Sequence, residues 1–389
     1  MVIRSMSGGV SAQLIALNFI AKDEGPGTFT IIGEQSTPHL RWFAEGLRNA
    51  LIRQGHEYTE QPIPDIRLVL NVFPHDKPKP YRRKAQATFV VGITEFAQRP
   101  ADILVAGYPY LLYSLANLVI LLVPTADGQS VEARFITLER GNYGIPYVPG
   151  QDEQFFEAIY QRLYPLASSH LVINNVFKTD LEPELWNGDE ITAQITRAGK
   201  RLDAMNLLPA PFPVEEFLSE KELRHVRRLY GIGGLSYGNL SARKDRTRFW
   251  MSASGVDKSK LEVVGQDILM VSGFDPTIPA IILSVPPNIK PRRVSVDAIE
   301  HWMIYQQHPE IGAIMHVHAW MDGIRSTEIN YPCGTLELAQ AVSNLLAQEP
   351  DPGHAVIGLK NHGVTITGES LDEIFERVGD KIIPQVPMT

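Results

Sequence analysis

Residues 311–320 read IGAIMHVHAW. In a β-strand alternate side chains share a face, so His316 and His318 project together. Burying two imidazoles inside an apolar run costs free energy unless they meet partners. A third histidine, His362, stands between two short apolar runs in GLKNHGVTITG (358–368). Three imidazoles converging on one point would form the open pattern of catalytic zinc, with three protein ligands and a fourth position for water or substrate. A His-x-His pair also arises by chance, and local hydrogen bonds are the other way such histidines are satisfied.

The elements that must position these residues are legible in outline. In the first half, FTIIGEQ (29–35) reads as a strand. PHLRWFAEGLRNALIRQGH (38–56) reads as a helix, with Leu40, Phe43, Leu47 and Leu51 on one face, Pro38 near its start and Gly55 near its end. Strands are expected at 65–73, 87–96, 103–108 and 117–124, and another at 133–147 that ends in turn residues. The uncharged window 103–124 has the length of a membrane span. A Gly-Tyr-Pro turn signal, Ser114 and Asn117 interrupt it, so two buried strands joined by a short turn or helix are preferred. A helix is expected over 152–175 and another over 191–206. No nucleotide-binding glycine fingerprint follows any strand. The basic loop HDKPKPYRRK (75–84) could hold an anion and otherwise reads as a solvated surface connection.

LLPAPFP (207–213) is a proline-rich boundary signal. It puts a domain border near 190–213, with one α/β domain over residues 1–200 and a second over 201–389. The second begins with a helix at 214–234. A helix around Asp297–His308, the strand carrying the His-x-His pair, a helix at TLELAQAVSNLLAQ, strands at AVIGL and GVTITG, and a last helix at SLDEIFERVGDKI follow.

Composition narrows the class. A chain of 389 residues with 44% hydrophobic and 21% charged residues is globular and long enough for two domains. A net charge of −8 argues against nucleic acid as the main partner. The single cysteine, Cys333, excludes an internal disulfide and a Cys-rich metal site, fits a reducing cytoplasm, and reads as a small packing residue. The N-terminal stretch lacks the small-residue cleavage site of a secretory signal.

Five segments carry a family resemblance in order: GGLSYGNLSAR (233–243), FWMSASGVDKSKL (249–261), SVDAIEHWMIYQQHPEIGAIMHVHAW (295–320), YPCGTLELAQAV (331–342) and GLKNHGVTITG. Together, over about 214–380, they resemble the class II aldolase/adducin family, which includes fuculose- and rhamnulose-1-phosphate aldolases and ribulose-5-phosphate 4-epimerase. Residues 1–200 carry no such resemblance. The fold implied is α/β: a mixed α/β N-terminal domain, then an α/β/α domain around a central, mostly antiparallel sheet.

The resemblance also implies a site. His316, His318 and His362 would bind zinc or another divalent ion. Asp297 stands where the aldolases carry a proton-transferring glutamate, one methylene shorter. Its other reading is a plain helix N-terminal carboxylate, and Glu300 is a poorer candidate. Tyr331 is the nearest candidate for the tyrosine that protonates a leaving oxygen. Ser236, Gly238 and Asn239, then Ser254 and Gly255, then Ser295 correspond to the anion-binding loops, although they are also ordinary turn formers. Val296 replaces a second serine. The activity implied is that of a metal-dependent lyase or isomerase acting on a sugar-like hydroxycarbonyl, possibly phosphorylated, through a metal-stabilised enediolate, with aldol cleavage first. The alternative is an adducin-like, non-catalytic interaction protein. The three histidines favour the enzyme. A cytoplasmic homo-oligomer with a small-molecule substrate, and neither nucleic acid nor membrane as partner, completes the expectation.

Overall fold

The computed structural model describes residues 27–83, 88–137, 141–205, 207, 219–220 and 238–388, which form two compact units. Residues 214–218 and 221–234 of the expected helix, and Ser236, lie outside the described residues.

The first unit is built on a seven-stranded sheet in the order β2-β1-β3-β4-β5-β6-β7. Its strands are Thr28–Gly33 (β1), Glu57–Tyr58 (β2), Leu68–Val72 (β3), Phe89–Glu95 (β4), Leu118–Pro124 (β5), Val131–Thr137 (β6) and Asn142–Pro146 (β7). The first five run parallel, and β6 and β7 add antiparallel. Strands β3 and β5 are apolar almost throughout because both faces are covered. Helix α1 (Pro38–Arg53) buries Leu40, Phe43, Leu47 and Leu51, the face expected from their spacing, and the Thr37 hydroxyl accepts from Leu40 N at its start.

Two expectations fail here. Residues 103–108 are not a strand but the start of helix α2 (Ile103–Ser114), which connects β4 to β5. An apolar run carries no period that separates a buried helix from a buried strand. The deciding signals are local: the Asp102 carboxylate accepts from Val105 N as N-cap, and Leu115 closes the helix in the left-handed conformation at φ 56°. The cap contributes about 1 kcal/mol. Pro109 sits inside the helix, and it misled the reading towards a turn. The run 133–147 is two strands, β6 and β7, rather than one.

The helix expected over 152–175 ends at Ser168 (α3, Asp152–Ser168), and Asn174–Lys178 forms strand β8. Strand β8 pairs in parallel with Ala280–Ser284 (β12). Helix α4 (Glu190–Ala204) follows, closed at its start by an Asp189–Thr192 capping box. Residues 170–205 therefore belong to the second unit. Strand β8 joins these residues to that unit by completing a sheet edge.

That second sheet has nine strands in the order β14-β15-β16-β13-β9-β10-β11-β12-β8 and is antiparallel except at its two edge pairs. Its remaining strands are Gly238–Arg243 (β9), Phe249–Ser252 (β10), Ile268–Asp275 (β11), Ala313–Val317 (β13), Arg325–Ser326 (β14), Val356–Leu359 (β15) and Gly363–Gly368 (β16). Helix α5 (Ala298–Gln307) packs beside α6 (Leu336–Leu346), and α4 packs beside α7 (Leu371–Val378). Ser241, His316 and Thr365 face α5, since Ser241 and Thr365 bond to His301 and Glu300 of that helix. Strands β13 and β16 also pack against α7. The result is the expected α/β/α arrangement. Among the described residues no helix is long and apolar enough to cross a membrane.

Candidate metal centre

Strand β13 is central, between β16 and β9, so its backbone is fixed on both sides. It carries His316 at its penultimate residue, and His318 follows just past its end. His362 sits in the tight connection between β15 and β16, where its N–H donates to Leu359 O at 3.0 Å. Asn361 precedes it at φ 58°, a conformation asparagine tolerates better than most residues. Gly363 follows; a Cβ there would lie 2.2 Å from Val317 O, so only glycine lets the turn approach β13 this closely.

These placements bring the three histidines together. Ring centroids are 5.1 Å apart for His316–His318, 5.1 Å for His316–His362 and 4.2 Å for His318–His362. One ring nitrogen of each lies within 4.8 Å of the others. His316 Nδ1 bonds to Val364 O at 3.1 Å. A carbonyl only accepts, so Nδ1 carries the proton and Nε2 presents a lone pair. That nitrogen is 3.3 Å from His362 Nε2. Two nitrogens each about 2.0–2.1 Å from one tetrahedral zinc are about 3.3 Å apart. The residues present therefore fit a divalent ion. Burial lowers the His318 pKa well below its ordinary value, and His362 and His316 lower it further, which keeps the ring in its neutral, ligating form.

Asp297 is the N-cap residue of α5, yet its side chain caps no helical N–H. It thus stands at the helix N-terminus, as a helix N-terminal carboxylate would, without making a capping hydrogen bond. One carboxylate oxygen accepts from Asn239 Nδ2 at 2.6 Å, and the carboxylate also lies in hydrogen-bonding reach of the Cys333 thiol. Burial pushes the Asp297 pKa up, but His316, the Cys333 thiol, His362 and His301 outweigh it and hold the group below its ordinary value. A buried carboxylate kept ionised beside three imidazoles can accept a proton.

The other candidates divide. Asn239, paired with His316 across β9–β13, directs its amide to Asp297. Gly238 has φ 145°, and a Cβ there would lie 2.4 Å from His316 O. Ser254 and Gly255 are exposed, and Ser295 is half-buried. An Ala253–Val294 bridge, with Ser254 N donating to Arg293 O and Ser295 N to Ser252 O, brings these two loops side by side. Tyr331 is half-buried and packs against the core of this unit.

The sequence reading passed over two residues. Cys333 packs against the core as expected, but its Sγ also lies 2.8 Å from His362 Nε2. Its backbone is held by β8's approach: Val172 N donates to Gly334 O at 2.7 Å, and His170 pairs with Glu337. Lys258 is buried; burial pushes its pKa down to about 8 against the charges of Asp257 and Asp297. Its Nζ donates to Val256 O at 3.4 Å. A DKSK run looks like solvated surface, and nothing in its spacing marks Lys258 as buried.

Below the histidines lies a buried polar layer. Glu300 accepts from Thr365 Oγ1 at 2.6 Å, and Ser241 Oγ bonds to His301 Nδ1 at 2.8 Å and Tyr305 OH at 2.9 Å. Burial, then the charge of Asp297, pushes the Glu300 pKa up to about 8. Burial pushes His301 down to about 3.

The comparisons with known proteins bear on the family of the chain. The family model for the Class II Aldolase and Adducin N-terminal domain matches residues 224–327. A methylthioribulose-1-phosphate dehydratase from Leptospira biflexa is 39% identical over 158 residues, 39% of this chain and 69% of that protein. This chain belongs to the class II aldolase and adducin family. A second protein of the same name, from Xanthomonas campestris, is 30% identical over 31% of this chain and 54% of its own length. Among solved structures, an L-fuculose 1-phosphate aldolase overlays 50% of this chain and 82% of its own at 17% identity and a TM-score of 0.34. In this class II aldolase family member the matched stretch contains Asp297, His316 and His318, whereas His362, Tyr331 and Cys333 lie beyond it.

Proposed function

We propose that this chain is a metal-dependent lyase that removes water from a phosphorylated hydroxyketone of the methylthioribulose 1-phosphate type. The observation that carries the reading is the 3.3 Å approach of His316 Nε2 to His362 Nε2, with a carboxylate oxygen of the buried Asp297 within 4.8 Å of a His316 ring nitrogen. The names of the two relatives supply the substrate class and favour dehydration over the aldol cleavage expected from the wider resemblance.

His316, His318 and His362 would hold a divalent ion, with zinc the first choice, which would supply Lewis-acid strength to the substrate's oxygens. Asp297 takes the proton from the carbon next to the carbonyl. Asn239 holds that carboxylate in place, at a buried position where misplacement would be costly to rate. The hydroxyl one carbon further leaves with a second proton, for which Tyr331 is the candidate donor, so substrate becomes enol plus water. Ser254, Gly255 and Ser295, on two loops that lie side by side, are the residues suited to hold the phosphate, together with Gly238 and Asn239; Ser236, the remaining candidate, lies outside the described residues. The reading includes a homo-oligomer in a reducing cytoplasm.

The test is direct. Zinc-loaded protein is incubated with methylthioribulose 1-phosphate, and products are followed by mass spectrometry. Loss of one water supports the reading. Release of an aldehyde fragment moves the reaction to aldol cleavage. Unchanged substrate, with one ion bound per chain, overturns the lyase reading and leaves the adducin-like interaction role.

A further inference from the structure

We propose that Cys333 is a fourth ligand of the metal held by His316, His318 and His362, so that the resting centre is closed by a thiolate. The inference rests on the reading of the three histidines as a metal centre and adds a residue to it.

Three observations carry it. Cys333 Sγ lies 2.8 Å from His362 Nε2, on the nitrogen that also faces His316 Nε2. The Cys333 sulfur, a carboxylate oxygen of Asp297 and a ring nitrogen of His316 lie within 4.8 Å of one another, a second ligand-bearing group that shares His316 with the first. Asp297, a side chain only 5% exposed, is in hydrogen-bonding reach of the Cys333 thiol, so the sulfur stands between the carboxylate and the imidazoles. Sulfur, imidazole nitrogens and a buried carboxylate thus gather in one place.

The distances suit the assignment. With metal–nitrogen bonds of about 2.0–2.1 Å and a metal–sulfur bond of about 2.3 Å, tetrahedral sulfur and nitrogen ligands stand about 3.5 Å apart. Sulfur must therefore back away from His362 by less than about 1 Å, a rotamer-scale adjustment. The neighbouring backbone is tied down: Gly334 O accepts from Val172 N, and the Thr335 side chain caps α6. On coordination the thiol loses its proton to solvent and the sulfur lone pair forms the metal bond. No oxidant or reductant is involved. A thiolate in the fourth position lowers the centre's charge by one and favours zinc over harder ions. Substrate oxygen must then displace the sulfur or raise the coordination number to five.

The experiment is cobalt(II) titration of the metal-free full chain, read by absorption. Cys333 is the only cysteine, so a thiolate-to-cobalt charge-transfer band in the near ultraviolet can come only from it. The expected result is that band beside the visible cobalt bands, with the charge-transfer band lost and the visible bands kept in Cys333→Ser. A parallel reading needs no variant: bound zinc should slow reaction of the wild-type thiol with an alkylating reagent. Visible cobalt bands without a charge-transfer band in the wild type, with no protection of the thiol by zinc, overturn Cys333 as a ligand and leave the three-histidine centre intact. Absence of any bound cobalt or zinc overturns the metal centre itself, and this assignment with it.

Discussion

Asp297 and Glu300 are two buried carboxyls one helical turn apart whose surroundings push them in opposite directions. Asp297 faces the imidazoles and stays ionised. Glu300 faces Thr365 and Asp297 and is largely protonated at neutral pH. Asp297→Asn keeps the shape but removes the base. It should lower turnover by about 10²-fold or more while the metal content measured on the purified variant stays unchanged. For Glu300 the folded-state pKa, about 8, lies above its ordinary value. Its contribution to stability is complete below about pH 4.5 and is lost as pH rises through about 8. Metal-free Glu300→Gln should therefore lose less melting temperature than the wild type between pH 6 and pH 9. Equal losses in the two proteins would show that Glu300 does not titrate there.

At the scale of elements, the centre depends on how closely β9, β13 and the β15–β16 turn approach one another. Gly238 is the clearest case, since any Cβ would press on the His316 carbonyl at 2.4 Å. Gly238→Ala alters no ligand, yet it should displace β13 at His316 and weaken zinc binding about tenfold or more, a loss of about 1.4 kcal/mol or more. Competition with a zinc-sensing dye measures this. Wild-type affinity in the variant would mean that the strand accommodates the methyl by a shift elsewhere. Element boundaries also explain the misread helix α2: its apolar composition fits a strand equally well, and only the Asp102 cap and the Leu115 turn decide between them.

At the scale of the molecule, the metal residues all belong to the second unit, while β1–β7 belong to the first. An ion that binds only the folded centre stabilises the unit containing it by mass action. Chelation should accordingly increase hydrogen exchange in β13, β16 and the 331–335 segment and leave the protection of β3, β4 and β5 unchanged. Mass-spectrometric hydrogen exchange resolves the two regions. Increased exchange spread equally over both units would refute confinement of the metal's effect to the second.

Five ordered segments in the sequence carried the family, and with it the α/β class and the mostly antiparallel second sheet. Two placements rest on local signals: strand alternation sets His316 with His318, and the NHG segment sets His362 between two short apolar runs. The sequence also marked Asp297, through its position relative to the histidine pair. Tertiary structure decided what has no local period. Cys333 reaches His362 because residues 170–172 pin its loop from far away in the chain. Lys258 is buried although its neighbours are charged. Residues 174–178 join the second sheet because β8 finds its partner in β12, more than a hundred residues on. Such pairings are fixed by which surfaces meet, and a chain read one window at a time does not contain them.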